Sequence, residues 1–331
     1  MKTKIRSALA LSALPWVIAY PDGASAANGN SPTFACQEAK AALQILGSSG
    51  PLNAEGRAST SYILWRMGRP AIIVDLGPGS VANLVRAGGK LTELEALLIS
   101  HLHPDHVSDL PGLLWDEDIL GRANPLLIVG PAGNADFPDI GSFLDRLFGA
   151  QGAFPFMHDL LDSHSNFHLE IKMIDTSRSQ RVPVAELNDL AISAHPVPHG
   201  KAPSLAYRIN GSGFSVVFAG DQSGTDPQFA SFAKNADVLV LHAALSPQAD
   251  GHPFAKVIGL PRSLGALAAA TGAKRVVLSH LMALPTGDPA AVNFSLADRR
   301  ALIAAVQSVY HGDLTLASDL ECIVLAGLSK H

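Results

Sequence analysis

The sequence predicts a layered α/β domain, and three observations predict it. Short apolar runs rich in Val, Ile and Leu recur between turns of Gly, Pro and Asp. Stripes of apolar residues at helical spacing lie between those runs. The chain has 331 residues, 47% of them apolar and only 16% charged, which suits a large buried core rather than a disordered chain. No composition shift marks a long linker, so one domain is expected.

The runs at 61–65, 71–75, 96–100 and 126–129 are short and rich in branched residues, as buried strands are. So are those at 190–194, 214–219, 237–241, 275–279 and 321–325. Residues 107–116 should form a helix after a histidine-rich loop. Leu264, Leu267 and Ala268 share one helical face, and Leu302, Ile303, Val306, Val309 and Tyr310 share another. Both stripes read as core packing, and interleaved strands and helices imply layers. The stretch around 131–170 differs, because five of the 13 Phe fall between positions 137 and 156 among Gly and Pro. It reads as a Phe-rich insertion: a helix packed on the core, an apolar lid, or the contact of a homodimer.

The N-terminus reads as a signal peptide over residues 1–26. Lys2, Lys4 and Arg6 precede an apolar run at 8–20, and Ala24-Ser25-Ala26 supplies small residues for cleavage after Ala26. The run is shorter than the ~20 residues a bilayer needs, so no membrane anchor is expected. The mature chain, 27–331, should be secreted, to a bacterial periplasm. The leader holds three positive charges and one negative, so its removal takes the formal charge from −5 to −7. No Lys/Arg run remains to mark a broad nucleic-acid footprint. The two cysteines, Cys36 and Cys322, are either a disulfide or two buried thiols.

The chemistry concentrates after the run at 96–100, in His101-Leu102-His103-Pro104-Asp105-His106. Three imidazoles and a carboxylate on one loop are hard to satisfy by packing, because each brings polar groups that need partners. A cation resolves the crowding, and imidazole with carboxylate suits zinc or a similar ion. His101 and His103 alternate by two and can point the same way, while Asp105 and His106 lie further on and can serve a neighbouring ion. Three more candidates follow strand-like runs: His199 in His195-Pro-Val-Pro-His-Gly200, Asp221 in Phe218-Ala-Gly-Asp221, and His280 in Leu278-Ser-His280. Ligands at strand ends match how α/β folds build sites at one sheet edge.

These motifs resemble the metallo-β-lactamase-fold superfamily, and within it the ribonuclease Z and arylsulfatase-like branch. Leu46-Gly-Ser-Ser-Gly-Pro51, Arg57-Ala-Ser-Thr-Ser-Tyr62, Ile73-Val-Asp-Leu-Gly-Pro-Gly79 and Pro196-Val-Pro-His-Gly200 carry the likeness, over roughly residues 43–326. The resemblance implies a four-layer αββα sandwich. It implies two divalent ions, Zn2+ by donor type, with His101, His103 and His199 on one. Asp105, His106 and His280 would hold the other, Asp221 would bridge, and Asp75 would orient the histidine loop. His195 competes with His199 for the same role.

The expected chemistry is hydrolysis of a small or medium ester-type substrate (phosphodiester, aryl sulfate or carboxylic ester) by a metal-bound hydroxide. Asp105 would orient the nucleophile and His242 would serve as general acid, against a reading of His242 as a core histidine. Ser204, Tyr207 and His252 are weaker pocket candidates. Ribonuclease Z enzymes carry a His-Glu pair where this chain has His242-Ala243, and a further His where it has Ile258-Gly-Leu-Pro261. Those departures and the leader set the expectation that nucleic acid is an unlikely partner. Two alternatives stay open: a non-catalytic metal- or ligand-binding protein that keeps the site, and a ribonuclease Z-like phosphodiesterase acting on RNA.

Overall fold

The computed structural model describes residues 36–52, 55–282 and 296–328. The leader expected at 1–26 lies outside the described residues. Alternating side chains build two sheets. The first contains β1 (Ala39–Gly47), β2 (Ser61–Arg66), β3 (Arg69–Val74), β4 (Ala96–Leu98), β5 (Leu126–Pro131), β6 (Leu169–Ile174) and β14 (Cys322–Leu328). The second contains β7 (Val182–Leu187), β8 (Leu190–His199), β9 (Ala202–Gly211), β10 (Phe214–Phe218), β11 (Val238–His242), β12 (Arg275–Ser279) and β13 (Asp313–Leu316). The strand orders are β14-β1-β2-β3-β4-β5-β6 and β13-β12-β11-β10-β9-β8-β7.

Period-two alternation decides the layers. Tyr62 and Leu64 of β2 point between the sheets and meet Tyr207, Val216 and Phe218 of the second sheet. Ile63 and Trp65 point the other way, toward Leu113 and Leu114 of the helix Leu110–Ile119 and Leu144 of the helix Ile140–Phe148. On the far side, Val217, Leu239 and Val276 pack under Leu264 and Leu267 of the helix Pro261–Thr271 and Leu302 of the helix Leu296–Gln307. The layers therefore run helix, sheet, sheet, helix. Truncating one such fully buried Leu or Ile to Ala costs about 2–5 kcal/mol.

The helix expected over 107–116 is two helices, Pro104–Val107 and Leu110–Ile119. Pro111 lacks an amide proton and sits in the first turn of the second helix, where that loss is harmless. Cys36 and Cys322 form a disulfide with a Cα–Cα distance of 5.6 Å, tying the described N-terminus to β14. The bridge spans 286 positions, and closing so long a loop stabilises the fold by about 5–6 kcal/mol in the chain-entropy account. Within 131–170, Ile140, Leu144 and Phe148 face the core, whereas Phe137 is half-buried on the loop before that helix.

β3 to β6 run parallel, and so do β10 to β13. Parallel strands aim their C-terminal ends at one edge, and in open α/β sheets that edge gathers functional loops. Here it carries the histidine loop after β4, Asp221 after β10 and His280 after β12.

Candidate metal centre

Eight side chains converge between the two sheet edges. His101, His103 and His199 offer donor atoms within 4.8 Å of one another, and His106, Asp221, His242 and His280 form a second such group. Asp105 borders the second, its Oδ2 3.2 Å from His280 Nε2 and 3.4 Å from His106 Nε2. All are buried except His103, which is half-buried. Asp221 stands between the groups. Its Oδ2 lies 3.6 Å from His199 Nε2 and 4.0 Å from His101 Nε2, and its Oδ1 lies 3.3 Å from His280 Nε2 and 3.8 Å from His106 Nε2.

Local structure fixes each ring. Asp75 accepts from the Ser100 amide at 2.7 Å and its hydroxyl at 2.8 Å, pinning the loop after β4. The same carboxylate takes the His106 Nδ1 proton at 2.8 Å, which aims Nε2 at His280 and Asp105. His199 donates Nδ1–H to the Val257 carbonyl at 2.9 Å, so its Nε2 is bare. Gly200, at φ +60°, turns the chain after His199, and a Cβ there would meet Val257 Cγ1 at 2.8 Å. His280 sits in the left-handed region at φ 59°. Its ring lies against Gly50, where a Cβ would approach Cε1 and Nδ1 to 2.7 Å. The segment 46–51 is therefore glycine-bearing because an imidazole occupies the space a side chain would need.

The donor set fits divalent cations. His106 Nε2 faces His280 Nε2 at 3.3 Å, and His199 Nε2 faces His103 Nδ1 at 3.4 Å. Donors bound to one tetrahedral zinc at ~2.0–2.1 Å stand roughly 3.3–3.5 Å apart. Nitrogens that face one another at that spacing can share one cation once their protons leave. This His/Asp cluster is suited to divalent metal ions.

Burial and charge act together here. Burial drives His101 well below the ordinary imidazole value and lowers His103 too, so both are neutral donors. For His106 burial opposes the charged form, but Asp75, Asp105 and Asp221 outweigh it and raise the pKa. For Asp105 and Asp221 burial opposes ionisation, yet the surrounding histidines hold both carboxyls well below their usual range.

His242 behaves otherwise than as the expected general acid. Its Nδ1–H donates to Asp221 Oδ1 at 2.6 Å, and its Nε2 accepts from the Tyr62 hydroxyl at 3.0 Å. Both nitrogens are committed, the ring is 3% exposed, and it stacks on His280 at 4.8 Å behind Asp221. It holds Asp221 and has no free edge toward the cavity. His195 stands apart from both groups, with Nε2 2.6 Å from Asp226 Oδ2. Ser204 and Tyr207 are buried and donate to the carbonyls of Asp221 and Ile99 at 3.0 and 2.8 Å, away from the cavity.

A cavity of about 590 Å³ opens over the centre. His103, Asp105, His199 and Asp221 reach it from the polar side, and Phe137, Phe254, Val257, Ile258 and Met282 line much of the rest. Sequence reading missed these apolar residues except as part of a Phe-rich stretch. Phe254 follows His252-Pro253, a turn signal that carries no periodicity.

Residues 71–281, more than half the chain, match the family model described as the β-lactamase superfamily domain. The chain belongs to the β-lactamase superfamily. Among curated relatives, this superfamily member is 24% identical over 280 residues to the ribonuclease Z of Methanosarcina acetivorans, covering 74% of this chain and 89% of that one. Its fold matches the metallo-β-lactamase-fold protein YhfI of Bacillus subtilis, with a TM-score of 0.63 and 20% identity, across 86% of this chain and 98% of that one. It also matches human tRNase Z, short form, with a TM-score of 0.62 and 20% identity, across 86% and 99%. The four-layer sandwich and the ribonuclease Z-like character read from the motifs therefore hold. The expectation against nucleic acid does not. The curated relative is a ribonuclease along most of its length, so the missing Glu after His242 and the absence of a basic run were too weak a ground for exclusion.

Proposed function

We propose that this metal-dependent hydrolase cleaves phosphodiesters at a pair of zinc ions. His101, His103 and His199 would hold one ion and Asp105, His106 and His280 the other, with Asp221 standing between the two groups. The observation that carries this reading is Asp221, whose two oxygens face different imidazole groups, Oδ2 toward His199 at 3.6 Å and Oδ1 toward His280 at 3.3 Å. Imidazole-rich donors with carboxylates favour zinc. The ribonuclease Z likeness favours a phosphorus centre over a sulfate or carboxylic ester, and it puts RNA among the substrates.

When bound, the cations supply Lewis acidity and make water nucleophilic at neutral pH. The chain does the rest. Ionised Asp105 borders the cavity and accepts a hydrogen bond from the attacking water, aiming it at the ester. His242 and Asp75 prevent Asp221 and His106 from turning away. The apolar walls exclude competing water.

Purified protein should contain about two zinc ions per chain, hydrolyse bis(p-nitrophenyl) phosphate, and lose that activity to a chelator. A precursor RNA with a 3′ trailer, an aryl sulfate and an aryl ester complete the panel. No metal-dependent turnover of any phosphodiester, RNA included, sinks the proposal. The leader-like residues 1–26 and the Cys36–Cys322 bridge support export to an oxidising compartment. Mass spectrometry of a periplasmic fraction should find a chain beginning at Ala27; an uncleaved chain retained in the cytoplasm rejects export.

A further inference from the structure

The cavity over the metal centre has two unlike sides. One is the polar donor set. The other is apolar and carries two phenylalanines from separate loops, Phe137 and Phe254. Phe254 is 47% exposed on the short turn Pro253–Lys256, so it leaves a large apolar ring in water with no core role to justify it. Phe137 is half-buried, with its ring centroid 5.8 Å from that of His103.

Neither ring is loosely attached. Asn134 Oδ1 accepts from the Phe137 amide at 2.9 Å, and the Asn134 amide donates to the Phe137 carbonyl at 2.9 Å. Asn134 Nδ2 then donates to the Lys201 carbonyl at 2.8 Å, fastening the Phe137 loop to the turn just after His199. On the other side, Val257, three residues beyond Phe254, accepts the His199 Nδ1 proton at 2.9 Å. Both aromatic loops are thus indexed to the same donor, His199. The cationic side chain on the wall, Lys201, is 80% exposed and already paired with Asp136 at 3.2 Å. The apolar side therefore offers ring contact rather than charge. About 590 Å³ is room for a phosphoryl group and one ring system beside it.

We propose that Phe137 and Phe254 form an aromatic subsite that holds a flat ring of the substrate next to the metal centre. The substrate class is a phosphoric ester bearing an aromatic group, either a nucleobase on its sugar or a simple aryl. What the ring is attached to rests on the phosphodiesterase reading; the ring subsite itself does not.

The test is calorimetric titration of the zinc-loaded full chain with phenylphosphonate and with methylphosphonate. Aromatic stacking is worth about tenfold or more in affinity, so the phenyl ligand should bind at least about tenfold tighter. Phe137→Ala and Phe254→Ala should each weaken phenylphosphonate by about tenfold and leave methylphosphonate within about twofold. Zinc content and Tm should be unchanged, and Phe254→Tyr should retain the preference. Equal affinities in the wild type, or equal losses for both ligands in the variants, overturn the subsite. Thymidine 5′-phosphate and phenyl phosphate separate the two sources: the ligand that loses more in Phe254→Ala identifies the ring. If ring preference persists while bis(p-nitrophenyl) phosphate is not hydrolysed, the subsite stands and the phosphodiesterase reading fails. If hydrolysis occurs without ring preference, the reverse holds.

Discussion

His195 and His199 lie four residues apart on β8, and both are buried, at 1% and 6% exposure. Their surroundings differ in kind. His195 Nε2 is 2.6 Å from Asp226 Oδ2, and its ring stacks on Phe232 at 5.0 Å. That carboxylate belongs to neither donor group of the metal centre. His199 gives its one proton to a backbone carbonyl and turns a bare nitrogen toward His103 and Asp221. Burial does not distinguish a structural histidine from a ligand. The distinction is whether the facing atoms can supply the missing proton, and around His199 too few can.

The comparison breaks most visibly at Asp221. Asp221→Ala removes the carboxylate both groups share, so turnover of bis(p-nitrophenyl) phosphate should fall by at least roughly 10³-fold. Metal analysis should show one ion or fewer per chain. Two retained ions with ordinary turnover would mean that Asp221 is only another buried carboxylate.

His199→Ala comes next. It opens one group while the other keeps its donors, so activity should drop by roughly 10²-fold or more and one ion should leave. Tm of the metal-free protein should hardly change, because His199 makes its single ordinary hydrogen bond at a loop. A large fall in Tm with both ions retained would move His199 into the structural class.

His195→Ala should do the opposite. Asp226 keeps the Ser179 hydroxyl at 3.0 Å and the Gln228 amide at 3.0 Å but loses its imidazole. Stability should fall by about 1–3 kcal/mol, read as a lower urea midpoint, with both ions retained and turnover within about threefold. Loss of metal from this variant alone would reverse the assignment of the two histidines.

What was legible in sequence follows from the same contrast. The loop at 101–106 could be read because its donors are adjacent, and the frame around His199 because glycine and proline mark the turn. The layer order was visible wherever strands were apolar and β-branched. β1, with the run Ala39-Lys40-Ala41-Ala42, and β6, with Glu170 and Lys172, lack that signature and were not anticipated as strands. Tertiary context makes them strands, through pairing with β14 and β5. His242 was legible as a residue at a strand end but not as Asp221's hydrogen-bond partner. Nothing local says that Tyr62, 180 positions away, will occupy its other nitrogen. Phe254 was invisible because a lone aromatic in a turn has no period.

The smallest expected effect on turnover lies under the first sheet, where Glu117 and Arg122 form a buried pair. Glu117 is fully buried, with Oε2 3.4 Å from Arg122 Nη1, and Arg122 also donates to the carbonyls of Leu94, Asn124 and Pro125. Burial pushes the Glu117 carboxyl up to about 8, and Arg122 offsets this only in part. The folded state then holds this proton more tightly than the unfolded chain, whose carboxyl titrates at about 4.3. The stabilising contribution is complete below that value and is lost as pH rises through about 8. The Tm of the wild type minus that of Glu117→Gln should therefore decline steadily between about pH 5 and 8.5, while the two proteins match in metal content and turnover at each pH. A flat difference would mean that Arg122 keeps Glu117 ionised throughout. The pair would then carry its own balanced charge without a metal, and the contrast with the metal centre would be sharper.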